Sequence, residues 1–170
     1  LVCLDKNANS YTLLNIENLR SGSGADQLFG DSNANELRAG SGNDILEGRG
    51  GGDTLKGESG ADTFVYRAIS DSTTGGVDTI TDFSGAGGDK IDITALVQGT
   101  FSYLGATAFS VNTGNTQARF NDIGNQLQID VDGSGTADMF INMTAVTVAT
   151  LVSSYIIATS PITGTDGNTT

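Results

Sequence analysis

The sequence predicts an all-β protein: a right-handed parallel β-roll capped by antiparallel β-strands. Three observations predict it. Five nonapeptides stand in tandem from residue 21 to residue 65. Their eighth positions carry one large apolar residue each, and no helical periodicity follows any of the repeat glycines. After about residue 72 the pattern changes to short alternating segments separated by Gly-rich turns.

The nonapeptides read SGSGADQLF, GDSNANELR, AGSGNDILE, GRGGGDTLK and GESGADTFV. Position six runs Asp26, Asn35, Asp44, Asp53, Asp62, and position eight runs Leu28, Leu37, Leu46, Leu55, Phe64. The frame extends backwards over residues 12–20, with Glu17 at position six and Leu19 at position eight. It extends forwards over 66–74, where Asp71 keeps the acid but Thr73 ends the apolar row.

Residue types dictate what such a repeat does. A Gly-rich hexad turns sharply, because Gly reaches positive φ without steric cost. The three residues that follow form a very short strand whose middle side chain turns inward. Two nonapeptides close one coil, so residues 18 apart stack at the strand spacing of about 4.8 Å. Carboxylates stacked that closely repel. A hard divalent cation between them relieves the repulsion, and calcium accepts six to eight oxygens, backbone carbonyls included.

The repeat, G-G-x-G-x-D-x-U-x, resembles the RTX calcium-binding nonapeptides. In that family each ion is held by positions two, four and six of one repeat and one, three and six of the repeat 18 residues on. The resemblance implies a first site of Gly22, Gly24 and Asp26 with Ala39, Ser41 and Asp44. It implies a second of Gly40, Gly42 and Asp44 with Gly57, Ser59 and Asp62. On the other edge Asp31, Asn33 and Asn35 would meet Gly48, Gly50 and Asp53. A fourth site would join Arg49, Gly51 and Asp53 to Asp71, with Asp78 completing it. Asn35 is neutral, which weakens its site, and the longer Glu17 counts against a site between 17 and 35. About four calcium ions would bring the formal charge of −12 to about −4.

The second half carries its own resemblance. GADTFVY…DS…DTITDF…GDKIDITAL, over 60–96, resembles the region after the repeats in serralysin-type proteases and the R-modules of mannuronan epimerases. NTQARFNDIGNQLQIDVDGSGTADMFINM, over 115–143, resembles the serralysin C-terminal domain. The expected organisation is a calcium-binding roll over 12–74, an antiparallel cap over 75–160 and a linker over 161–170. The closing GTDGNTT resembles the lead-in to a further repeat block, so the sequence reads as an internal module of a longer array.

Asp130, Asp132, Gly133, Ser134, Thr136 and Asp138 resemble the first part of an EF-hand loop, but the twelfth position is Ile141 and not the bidentate Glu. A Gly-containing hairpin turn accounts for the same residues equally well.

Positions seven and nine of each triplet face outward. On one face position nine runs Arg20, Arg38, Lys56, a row of cations 18 apart. Like charges at strand spacing need relief. Local pairing with Glu36 is one source of it, and a polyanion with regularly spaced carboxylates, such as alginate, is another. On the other face Phe29, Glu47 and Val65 make a more apolar surface, expected to pack under the cap.

Net charge of −12 disfavours nucleic acid and anionic membrane surfaces as partners. No apolar run is long enough to insert in a membrane as a helix. Cys3 is the sole cysteine, so no internal disulfide forms, and a metal is the expected staple. There is no His and no nucleophile–base pair, so the chain is expected to be an accessory module and not itself an enzyme. The expected role is a secreted, type I exported module that folds on calcium outside the cell. It would present an anionic polysaccharide to an attached enzyme domain, or serve purely as the folding domain of a metalloprotease or an adhesin.

Overall fold

The computed structural model describes residues 2–3, 10–12, 17–144, 146–147 and 150–158. Each repeat triplet forms a strand, as its inward Leu or Phe requires. Strands β1 (Val2–Cys3), β3 (Asn18–Arg20), β5 (Glu36–Ser41) and β7 (Thr54–Ser59) stack in one parallel sheet. Strands β2 (Ser10–Thr12), β4 (Gln27–Phe29), β6 (Ile45–Glu47) and β8 (Thr63–Val65) stack in the other. The register is the one that two repeats per coil demand. Leu19 lies beside Leu37 and Leu37 beside Leu55, while Leu28 lies beside Leu46 and Leu46 beside Phe64.

Between the sheets these side chains are sealed: Leu28, Leu37, Leu46, Leu55 and Phe64 are all 0% exposed. Each such burial contributes about 1.5–3 kcal/mol before entropy is counted. The outward positions alternate with them, giving exposed–buried–part-exposed patterns in β4 and β7.

Parallel stacking does not stop at residue 74. Strand β9 (Asp78–Ile80) adds to β7, placing Ile80 beside Leu55. Strand β10 (Lys90–Asp92) adds to β8, placing Ile91 beside Phe64. Both keep the acid–x–apolar triplet of the repeats, so they form one more coil, with longer loops between.

The cap expected over 75–160 is antiparallel in part, and its first two strands extend the parallel roll. Among the described residues, only β12 (Thr116–Asn121), β13 (Gln126–Asp130) and β14 (Met139–Met143) form an antiparallel meander. Strand β14 then joins β9 in parallel. Strand β11 (Phe101–Tyr103) pairs parallel with β12, and β15 (Ile156–Ile157) parallel with β10. Among the described residues the result is a nine-stranded and a six-stranded sheet.

The meander prolongs the first sheet edgewise instead of covering the second face. That face is closed by its own side chains: Arg49 lies 5.5 Å from the Phe29 ring centroid and 3.5 Å from Glu47, and Arg67 reaches Glu47 at 2.8 Å. No α-helix occurs among the described residues, and none is long and apolar enough to cross a membrane.

Candidate metal centre

The sixth residue of each repeat ends the turn and begins the strand, which places its carboxylate at a roll edge. There the acids do not stand apart. Asp26 donates its backbone N–H to Asp44 Oδ1 at 2.7 Å, and Asp44 donates to Asp62 Oδ1 at 2.9 Å. On the opposite edge Asn35 donates to Asp53 Oδ1 at 2.7 Å, and Asp53 to Asp78 Oδ1 at 2.8 Å. Each carboxylate thus reaches back one coil and clips the position-six backbone there.

The second oxygen of these groups is the chemically significant one. Oδ2 of Asp44, Asp53 and Asp78 is buried and has no hydrogen-bond partner. Buried acceptors are ordinarily satisfied, and an orphaned one in a native fold points to an ion or another partner. Burial raises the Asp44 carboxyl, pushes Asp53 to about 7 and pushes Asp62 to about 6; the backbone hydrogen bond to each opposes the rise. Asp78 is pushed to about 8, again chiefly by burial, with the Asp53 charge adding to it. These groups therefore resist ionisation unless a positive charge accompanies them.

Glycine makes the space for such a charge. A Cβ on Gly48 would stand 2.3 Å from Asp53 Oδ2, and one on Gly57 2.1 Å from Asp62 Oδ2. Gly40 and Gly42 hold φ of 108° and 142°, and a Cβ on them would meet the carbonyl oxygens of Gly22 and Gly24 at 2.1 and 1.9 Å. The donor set is all oxygen, which suits a hard cation such as calcium.

The structure brings most of the expected ligands into pairs. Gly22 O accepts from Ser41 N at 2.9 Å, and Gly24 N donates to Ser41 O at 2.7 Å. Ala39 lies buried between them in the chain, within β5. Gly42 N donates to Ser59 O at 2.8 Å. Each of these carbonyls keeps a second lone pair.

On the other edge Asn33 donates to Asp31 Oδ1 from both backbone and side chain, at 2.8 and 2.9 Å, and Asp31 N donates to Asn35 Oδ1 at 2.9 Å. Gly50 lies over Ser32 and Gly51 over Asn33. Arg49 sends its side chain to Glu47 and to Gly30 O, leaving only its carbonyl for an ion.

One expected partner takes a different role. Asp78, and not Asp71, occupies the next step of the carboxylate ladder after Asp53. Asp71 Oδ2 instead accepts from the N–H groups of Arg67 and Ala68, capping the short turn Ile69–Asp71. Its charge still acts on Asp53.

Two acids escaped the sequence reading. Asp89 Oδ1 accepts from Asp62 N at 3.0 Å, continuing the first edge, and its Oδ2 accepts from Ser84 N. Asp82 accepts from Gly57 N and Glu58 N. For Asp89 the signal available was the acid–x–apolar triplet DKI, in a nine-residue frame already broken by the preceding loops; Asp82, followed by Phe83 and Ser84, carries no such triplet.

Asp130, Asp132 and Asp138 bring one carboxylate oxygen each within 4.8 Å of one another. Backbone groups of the connecting turn occupy them: Ser134 N and Gly135 N donate to Asp130, Ser134 N also to Asp132, and Val131 N to Asp138.

The cationic row stacks as spaced, with Arg20 beside Arg38 and Arg38 beside Lys56. Its closest counter-charge is Glu58, with Glu36 acting on Arg38 from further away. All three converge on Glu58, at 3.9, 2.5 and 3.9 Å respectively. Glu58 has φ of 68°, and its carboxyl is held low by the hydrogen bond from Arg38. The Cys3 side chain and the segment 161–170 lie outside the described residues.

With this geometry in view, the relatives are informative. The family model of the peptidase M10 serralysin C terminal matches residues 3–157. The chain is 49% identical over 129 residues to metallopeptidase AprA of Pseudomonas marginalis, covering 74% of this chain and 26% of that protein. It is 49% identical over 131 residues to metalloprotease AprA of Pseudomonas entomophila (strain L48), covering 74% and 27%. The chain thus spans about a quarter of the length of these curated relatives.

Two solution structures are also similar, both subunits of the Azotobacter vinelandii mannuronan C5-epimerase. AlgE6R2 has a TM-score of 0.48 and 28% identity, covering 95% of this chain and 92% of that one. AlgE6R3 has a TM-score of 0.46 and 23% identity, covering 88% and 90%. The match over residues 3–157 places the chain in its family: it belongs to the serralysin C-terminal family of the M10 peptidases.

Proposed function

We propose that this chain is a calcium-dependent folding module of an exported enzyme, released unfolded and folded outside the cell. The observation that carries the reading is the pair of clipped carboxylate ladders, in which Asp44, Asp53 and Asp78 each keep one buried oxygen without a partner. The residues that would hold about four ions are those of the four sites given above, with Asp78 completing the fourth. Calcium, when bound, supplies the positive charge that lets the stacked carboxylates stay ionised. The chain's own part is to aim those oxygens, clear space with glycine and fasten each coil to the last. Binding free energy then becomes folding free energy.

The test is calcium titration of the chain after removal of metal, followed by circular dichroism and calorimetry. Cooperative gain of β structure with several bound ions supports the reading. Asp44→Asn should remove part of the binding without unfolding the cap.

A second reading concerns the basic row. Three cations share one carboxylate as their ion-pair partner, with Glu36 and Asp82 adding only longer-range attraction at Arg38. That supports a track for an anionic polysaccharide such as alginate, presented to the attached catalytic domain. Charge reversal at Arg20, Arg38 and Lys56 should abolish alginate binding while calcium-induced folding persists. If the chain binds no glycan while calcium still stabilises it, the role reduces to folding and export for an attached protease or adhesive domain.

A further inference from the structure

Tyr66 follows β8 directly and is 1% exposed. Its N–H donates to Asp92 O at 2.9 Å, which ties its backbone to the extra coil. Its hydroxyl stands in an unusual place. Burial and the carboxylates of Asp78, Asp53 and Asp71 together raise the phenol pKa well above the ordinary tyrosine range. Asp78 is its neighbour: the charge of that carboxylate and its hydrogen-bonding contact with the phenol add to the rise, although the Tyr66 hydroxyl and Asp78 Oδ2 do not meet in a well-formed hydrogen bond.

Four buried side-chain atoms are left unpartnered among the described residues, and three of them belong to this cluster: Asp53 Oδ2, Asp78 Oδ2 and the Tyr66 hydroxyl. An unsatisfied buried polar group costs about 1–3 kcal/mol. Phenylalanine would fill the same space without that cost, so the hydroxyl calls for a role.

The cluster also sits at a junction. Asp78 N donates to Ser72 Oγ at 2.8 Å, Ser72 Oγ donates to Phe140 O, and Phe140 N donates to Ser72 O at 3.1 Å. Strand β9, which Asp78 opens, pairs with β7 of the roll on one side and with β14 of the meander on the other. A group that fixes the Asp78 carboxylate therefore acts on both parts.

We propose that Tyr66 is a positioning residue of the Asp53–Asp78 cation site, its hydroxyl orienting the Asp78 carboxylate so that ion binding there also fastens the meander to the roll. The inference rests on the calcium reading above. Second partners of this kind set ligand orientation, and their loss typically weakens metal binding by about 10–100-fold.

Terbium tests it, because the chain has four Tyr and no Trp, so emission excited through aromatic absorption reports tyrosine near the ion. Wild-type chain titrated with terbium should show tyrosine-sensitised emission that calcium displaces. D78N should abolish the emission and D26N, on the other edge, should leave it. By calorimetry with calcium, Y66F should weaken one binding step about tenfold or more and leave the others unchanged.

Wild-type calcium affinity at every step of Y66F, or emission that survives D78N and not D26N, overturns the inference while the calcium reading stands. A wild-type chain that binds neither ion overturns both. If Y66F does not fold even in saturating calcium, the D78N and D26N comparison decides alone.

Discussion

Asp53 and Asp78 are 25 residues apart in the chain, yet the N–H of Asp53 donates to Asp78 Oδ1 at 2.8 Å. The remaining oxygen of each carboxylate is buried and unpartnered. Two half-satisfied acids side by side are unstable as bare charges. Either protons or a cation must join them, and most of what can be tested about this module follows from which one does.

Asp53→Asn separates the two roles of the group. The amide oxygen can still accept from Asn35 N, but the charge is gone. With calcium present the variant should weaken the two binding steps that share Asp53, with affinity at each falling tenfold or more, about 1.4 kcal/mol. In excess chelator it should be no less stable than wild type. Calorimetry and thermal melts in both conditions check this.

Protons should substitute for calcium, in a defined direction. The folded pKa values of Asp62, Asp53 and Asp78 are about 6, 7 and 8, above the ordinary 3.8. The folded state binds these protons more tightly than the unfolded one. Their contribution is therefore complete below about pH 3.8 and is lost as pH rises through the 6–8 range. Metal-free chain should show more β structure at about pH 5 than at about pH 8.5, and calcium affinity should fall over the same descent. Equal order at both pH values without metal would contradict the assignment.

Much of this was legible because the repeat is strict. Leu28, Leu46 and Phe64 announce an inward row, and Asp26, Asp44 and Asp62 an edge row, at a spacing that fixes register without knowledge of the rest of the chain. The ladder's continuation was hidden by inserted loops. Asp89 follows Asp62 by 27 residues and Asp78 follows Asp53 by 25, so a fixed frame of 18 steps past both.

Glu58 was missed for another reason. Position two normally suits Gly, and only the left-handed backbone there turns its side chain toward the cations. The pairing of Ile91 with Ile156 joins segments with no local signal of each other. The same is true of Asp78 with Ile141.

Glycines of equal appearance should respond unequally. Gly42 and Gly114 both have positive φ, at 142° and 62°. A Cβ on Gly42 would lie 1.9 Å from Gly24 O, whereas nothing lies within 4 Å at Gly114. Gly114→Ala should cost about 1 kcal/mol from backbone conformation alone. Gly42→Ala should cost about 3 kcal/mol or more, because the facing coil must move as well. Melts in saturating calcium measure the difference; equal losses would mean the coils are not held at this separation.

Glu58 acts as an internal anion for the basic row, so its removal should strengthen any polyanion site there. Glu58→Gln frees Arg20, Arg38 and Lys56 together. Alginate binding at low salt should tighten several-fold and become more salt-dependent. Unchanged binding in this variant and in the charge-reversed row would remove the polysaccharide reading and leave the folding role intact.

The most direct measurement compares far-ultraviolet circular dichroism of the whole chain in excess chelator and in saturating calcium, near neutral pH. A chain that is largely unordered without metal and gains cooperative β structure on adding calcium is the predicted result. Superimposable, ordered spectra in the two conditions would show that the roll closes on its own, and the carboxylate ladders would need another explanation.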